Sequence, residues 1–137
     1  MFLVDTNVLS EIPRPRPDSG VLRWLGEHPD FALSPITIEE LALGIAKLKG
    51  EKKDRLVRWF EELLAIPPHV IHIDERIARI AGELRAARGR SGKTVAQADM
   101  LIAATALVSS RVLVTRNVKH FEHCGISLLD PFSQSSS

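Results

Sequence analysis

Two short apolar runs, each closed by small polar residues, do most to limit what this chain can fold into. Phe2-Leu3-Val4 leads into Asp5-Thr6-Asn7, and Val112-Leu113-Val114 leads into Thr115-Arg116-Asn117. Continuous apolar runs this short read as strands buried on both faces, the habit of parallel sheets. Residues 31–33, 70–73 and 126–129 give further short apolar segments, and helical patterns separate them. Such alternation predicts an α/β fold, a central and mainly parallel sheet covered by helices. In open sheets of this kind ligands bind outside the carboxyl ends of the strands, at a topological switch point. Asp5 and Thr115 fall at two such ends. Two readings of Asp5 stand side by side: a carboxylate facing a cleft, or a solvated or capping residue beside Thr6 and Asn7.

The helical segments follow in order. Val21, Leu22 and Leu25 mark a short amphipathic helix from Ser19 to about Gly26. Thr37, with Glu40 three residues on, has the form of a capping box and predicts a helix start there. Ile38, Leu41, Ile45 and Leu48 continue it as an apolar stripe. Gly44 inside that helix costs up to about 1 kcal/mol against alanine, which suggests close packing against another backbone. Residues 50–53 read as a polar turn. Leu56, Trp59, Phe60, Leu63 and Leu64 define the next helix, stopped by Pro67-Pro68. A long helix is expected over residues 74–88. Arg76, Arg79, Arg85, Arg88 and Arg90 form its polar side and end, mostly a solvated face with room for a substrate-facing subset. Residues 89–92 break the chain before a helix over residues 94–109. The 137 residues suit one domain with a single core, residues 1–132, with 133–137 as a frayed tail.

Asp99 is the one charge inside the small, apolar centre of that last helix. Burying an unpaired carboxylate is expensive, so Asp99 either faces a polar cleft or is paired. Glu40 either caps its own helix or joins Asp5 and Asp99. Three carboxylates brought together repel one another, and a hard divalent cation such as Mg²⁺ or Mn²⁺ is the natural way to neutralise them. Such a site suits hydrolysis of a phosphodiester. Eighteen basic against seventeen acidic side chains exclude a heavily basic coat but leave room for a local basic groove. The loop at residues 12–17 alternates prolines with Arg14 and Arg16, and is either a phosphate-contacting loop or a solvated turn. A single cysteine, Cys124, forms no internal disulfide, and no secretory leader pattern is apparent, so a cytoplasmic location is expected. No apolar run is long enough to cross a bilayer, and no membrane partner is expected.

Taken in order, Leu3-Val4-Asp5-Thr6-Asn7-Val8, Ser10-Glu11 with its Arg-Pro-Arg-Pro loop, Glu40-Leu41 with Gly44-Ile45, Ala98-Asp99 with Ile102-Ala103-Ala104-Thr105, and Thr115-Arg116-Asn117 carry a family likeness. The chain resembles PIN-domain ribonucleases, and within them the VapC-type toxins of toxin–antitoxin modules, including the FitB-like branch. The resemblance covers nearly the whole chain. It implies a three-layer α/β/α PIN-like domain and a Mg²⁺- or Mn²⁺-dependent endoribonuclease. It also implies a homodimer neutralised by a cognate VapB-like antitoxin in a higher hetero-oligomer, with operator DNA reached only through the antitoxin. Carried over position by position, Asp5, Glu40 and Asp99 match the metal-site acids, Glu39 being the less suitable glutamate. At the family's alternative fourth-acid positions stand Asn117 and His120, a departure that leaves one metal or two open. Asn117 can still ligate through its carbonyl or orient a water. Thr6, Asn7 and Thr115 are expected to support the acids, and Arg116 to touch phosphate.

Three other readings compete. A haloacid-dehalogenase-type phosphatase also begins with an aspartate after its first strand, but needs a second acid where Asn7 stands. His120, His123 and Cys124 are crowded and lack a fourth ligand, so ordinary loop residues describe them better than a metal site. The non-enzymatic reading is a catalytically weak or inactive PIN module that acts by binding antitoxin and operator DNA.

Overall fold

The computed structural model describes residues 1–65, 69–90, 92 and 95–133. The chain runs β1 (Phe2–Val4), α1 (Thr6–Leu9), α2 (Ser19–Glu27), β2 (Ala32–Leu33), α3 (Pro35–Ala46), α4 (Gly50–Ala65), β3 (His69–Val70), α5 (Glu75–Arg90), α6 (Gln97–Ser109) and β4 (Val112–Val114). A 3-10 turn (Val118–His120) and β5 (Leu128–Leu129) complete it. The strands form one sheet in the order β3-β2-β1-β4-β5, and every pairing is parallel. From β1 the chain first builds outward through β2 and β3, then returns to lay β4 and β5 on the other side. The order therefore reverses between β1 and β4, and their carboxyl ends make the switch-point crevice.

Side-chain alternation along the inner strands divides the core into two layers. Leu3, Ala32 and Leu113 point to the face covered by α5 and α6, where Ile77, Ala81, Met100, Ile102 and Phe121 are buried. Val4, Leu33 and Val114 point to the opposite face, against Val8, Val21, Trp24 and Leu41. Helices thus cover both faces, giving the expected three layers. The small residues Ala103, Ala104 and Ala106 are fully buried and let α6 lie close to the sheet and α5.

Several local expectations are corrected. Helix α3 starts at Pro35, and Ser34 is its cap, accepting from the Ile36 N–H at 3.1 Å. Proline's fixed φ and missing N–H suit it to the first helical position, so it overrides the Thr37–Glu40 capping pattern. Gly44 has nothing within 4 Å of where a Cβ would sit, so close backbone packing does not explain it. Residues 50–53 are the first turn of α4 rather than a polar turn. The four-residue α1 has no apolar period and is not foreseen. Pro67-Pro68, Thr94 and residues 134–137 lie outside the described residues. Ser133, at the head of the expected tail, donates its N–H to Asp18 at 2.9 Å and its hydroxyl to the same carboxylate.

Candidate active site

Asp5 leaves β1 at its carboxyl end. Its own N–H donates to the Val114 carbonyl at 2.9 Å, which ties the end of β1 to β4. Oδ1 accepts from the Thr6 N–H at 2.8 Å, so Asp5 does cap α1. Oδ2 accepts from the Thr115 hydroxyl at 2.8 Å and more loosely from Asn7 Nδ2 at 3.4 Å. The capping reading is therefore realised by one carboxylate oxygen, while the other is held at the end of β4. Asp5 is only 6% exposed. Burial raises its pKa, and the negative charges of Asp99 and Glu40 push the same way, against the lowering effect of the Thr115 and Thr6 hydrogen bonds. Asp5 is thus the acid to which the charges of the other two reach.

Glu40 reaches the crevice from α3. Its Oε1 accepts from the Thr6 hydroxyl at 2.7 Å, and Thr6 also stands 3.2 Å from the buried Thr37 hydroxyl. Its side chain serves α1 rather than its own helix. Glu39 is exposed. Asp99 stands in the first turn of α6, half-buried, and His120 Nδ1 lies 3.2 Å from its Oδ2. It is thus both paired and turned to the crevice. His120 is the contribution that sequence reasoning undervalues. Its signal is its place three residues beyond Asn117, on a turn that brings it back over α6.

Asn7 and Thr115 lace the two strand ends together. Asn7 Nδ2 lies 3.3 Å from Thr115 Oγ1, and Asn7 Oδ1 accepts the Arg116 N–H at 3.1 Å. Thr115 Oγ1 in turn accepts the Asn117 N–H at 3.1 Å. Asn117 is exposed, and that backbone bond is what places it beside Thr115. The Arg116 guanidinium lies 4.6 Å over the Phe132 ring, which holds it at the rim. Arg14 pairs with Glu11 at 3.5 Å and Arg16 is exposed. Among the described residues neither bonds to Asp5, Glu40 or Asp99. Cys124 is buried with its sulfur 4.0 Å from that of Met100, and burial pushes its thiol pKa up.

The donors that Asp5, Glu40 and Asp99 offer are carboxylate oxygens, hard ligands of the kind Mg²⁺ or Mn²⁺ takes. Among the described residues no three His, Cys, Asp or Glu side chains are gathered tightly enough to hold an ion by themselves.

A five-strand parallel sheet covered by helices on both faces, with Asp5 and Thr115 at the carboxyl ends of adjacent strands, defines the class: an open three-layer α/β/α domain. The PIN domain model matches residues 2–125, and the chain belongs to that family. It is 37% identical to "Toxin FitB" of Neisseria gonorrhoeae, over 96% of this chain and 99% of the relative. It is 33% identical to "VapC ribonuclease Y4jK" of Sinorhizobium fredii, over 96% and 98%. Among solved structures it superposes on "Structure of FitAB bound to IR36 DNA fragment" with a TM-score of 0.87 and 36% identity, covering 99% of both chains.

Proposed function

We propose that this protein is the toxin of a toxin–antitoxin module and acts as an endoribonuclease, hydrolysing RNA phosphodiester bonds at the crevice between β1 and β4. One observation carries the reading: Thr6 joins two of the acids at the end of β1, its N–H bonded to the buried Asp5 carboxylate at 2.8 Å and its hydroxyl to Glu40 at 2.7 Å. A fold gains nothing in stability from three converging acids unless a cation offsets them. Asp5 and Asp99 would hold Mg²⁺, or Mn²⁺ in its place, with Glu40 facing them from α3. The bound ion supplies charge neutralisation, polarises a phosphoryl oxygen and lowers the pKa of a bound water. The chain's own residues do the positioning. Thr115, Asn7 and the Thr6 N–H fix the Asp5 carboxylate, the Thr6 hydroxyl fixes Glu40, and His120 fixes Asp99. Asn117 offers a carbonyl to a water, and Arg116 a cation to phosphate at the rim.

The ribonuclease and toxin names of the two relatives support the activity. The FitAB structure on DNA supports a partner chain through which operator DNA is reached. On this reading the protein is a cytoplasmic homodimer that a VapB-like antitoxin neutralises within a larger complex. Among the described residues no helix is long and apolar enough to cross a membrane.

The test incubates antitoxin-free protein with total cellular RNA in Mg²⁺, Mn²⁺ or EDTA, with Asp5→Asn alongside. Discrete cuts that need metal and vanish in the variant establish the nuclease. Cuts shared by both proteins point to a contaminant. If neither protein cuts and titration detects no metal binding, the reading passes to the inactive, binding-only module.

A further inference from the structure

The residues that follow β5 form a strap laid against the start of α2. The Leu129 carbonyl accepts the Thr115 N–H at 2.9 Å, so the strap leaves the sheet beside Thr115 and Arg116. Asp130 Oδ1 then accepts the Phe132 N–H at 2.9 Å, and Pro131 is buried. A Cβ on Gly20 would sit 2.5 Å from the Pro131 carbonyl, so the close approach to α2 depends on glycine there. Ser133 gives its N–H and its hydroxyl to Asp18, whose carboxylate also caps α2 through the Val21 N–H at 3.0 Å. Asp18 is fixed in turn by its own N–H, which the buried Glu11 accepts at 3.0 Å.

What the strap holds in place is the Phe132 ring. It is half-buried against the core layer of Val21 and Trp24, and the Arg116 guanidinium lies 4.6 Å from its centroid. Arg14 and Arg79 are paired with Glu11 and Glu75, but among the described residues no carboxylate lies within ion-pair distance of Arg116. An aromatic face attracts a cation through its quadrupole and takes none of the five N–H donors of a guanidinium. That leaves the fork for a phosphate, which it matches with two parallel bonds. The Arg116 N–H is bonded to Asn7, which also reaches Asp5, so one side chain separates this cation's backbone from the buried acid. An arginine already resting on a ring gives up less rotamer freedom when a ligand binds.

We propose that Phe132 is a positioning residue for RNA: held by the strap, its ring sets the Arg116 guanidinium at the rim to take the phosphate next to the one at Asp5. The inference rests on the nuclease reading and deepens it, because it gives the strap after β5 a part in gripping the substrate.

The test uses Asp5→Asn protein, which should not cleave, and follows the anisotropy of a labelled single-stranded RNA of about eight nucleotides. Binding is measured in Mg²⁺ from about 50 to about 200 mM salt. Arg116→Gln should flatten the plot of log affinity against log salt by about 0.7, the share of one phosphate on a single strand. Arg79→Gln removes a charge paired with Glu75 and should leave that slope alone. Phe132→Leu keeps an apolar side chain without the ring, and should weaken binding about two- to fivefold, the range of an exposed cation–π contact. The loss should vanish in the Arg116→Gln background, and Phe132→Trp should restore binding where Arg116 is present. A trifluorinated phenylalanine at residue 132 keeps the packing but drains the ring's negative face, and should weaken binding as Phe132→Leu does, which decides the matter if the leucine variant does not fold. A slope that Arg116→Gln leaves unchanged overturns the proposal and spares the nuclease reading. So does a Phe132→Leu loss that is the same with and without Arg116, the mark of packing alone, or a fluorinated ring that binds RNA as the parent ring does. No RNA binding, with no cutting by the parent protein, overturns both.

Discussion

Ionised Asp5 costs the fold stability, and its replacement by asparagine should show how much. Burial, then the fields of Asp99 and Glu40, raise its pKa above the ordinary 3.8. A carboxyl whose pKa is raised on folding contributes stability below its unfolded value, and that contribution is lost as pH rises through the folded value. At neutral pH each unit of such a rise costs about 1.4 kcal/mol. Asp5→Asn removes the charge at every pH. Asparagine keeps an acceptor for the Thr6 N–H but turns an amide toward Thr115 and Asn7, at a cost of about 1 kcal/mol if Thr115 does not rotate to accept. We expect the charge relief to exceed that cost, so that the variant is the more stable in the metal-free state. Calorimetry in EDTA should show the variant melting higher at about pH 7.5 and losing that advantage at about pH 3, where both side chains are neutral. With Mg²⁺ at about 100 times its Kd the order should reverse, because the parent gains about 2.7 kcal/mol and the variant gains little. A variant destabilised equally at both pH values would show that the charge carries no strain, and the metal-site argument would fall with it.

Thr6→Val removes the hydroxyl that holds Glu40 at 2.7 Å. We expect a loss of about 1–3 kcal/mol in denaturant unfolding, with RNA cleavage falling too and Thr6→Ser restoring both. The two glycines should respond in opposite directions. Gly44→Ala fills open space at an exposed position of α3 and should add about 0.5–1 kcal/mol. Gly20→Ala would set a Cβ 2.5 Å from the Pro131 carbonyl and 2.6 Å from the Ser133 N–H, and should cost about 1–3 kcal/mol by the same measurement.

The sequence reveals most where a single physical constraint dominates. β1 and β4 match their apolar runs residue for residue, because strands buried on both faces admit little else. β3 and β5 are shorter than the runs at residues 70–73 and 126–129, since apolar residues beyond the paired stretch still pack against the core. At α3 two signals overlap, Ser34-Pro35 and Thr37–Glu40, and the proline decides. Asp5, Glu40 and Asp99 are legible because carboxylates at element ends or in apolar surroundings need a reason. Their supports are less so. The Thr6–Glu40 bond depends on how α1 packs on α3, and the His120–Asp99 pair on a turn that folds back across 21 residues. Arg88 is one arginine among five on its helix, and only the packing of α5 against α6 separates it from the rest.

The order of the sheet explains why these residues meet at all. Reversal between β1 and β4 leaves their carboxyl ends side by side with no crossover helix between them. Asp5 and Thr115 extend from those ends, and the Asn7 side chain laces them. The helices that follow bring the other acids: α3 leaves β2 and α6 precedes β4, so Glu40 and Asp99 approach Asp5 from opposite faces of the sheet. Hydrogen bonds from Thr6, Thr115 and His120 then hold the three carboxylates in place. On the metal-site reading, the fold spends stability on the buried Asp5 charge and recovers it when a cation binds. Metal affinity and the stability of the metal-free chain should therefore move in opposite directions across any series of substitutions at Asp5, Glu40 and Asp99.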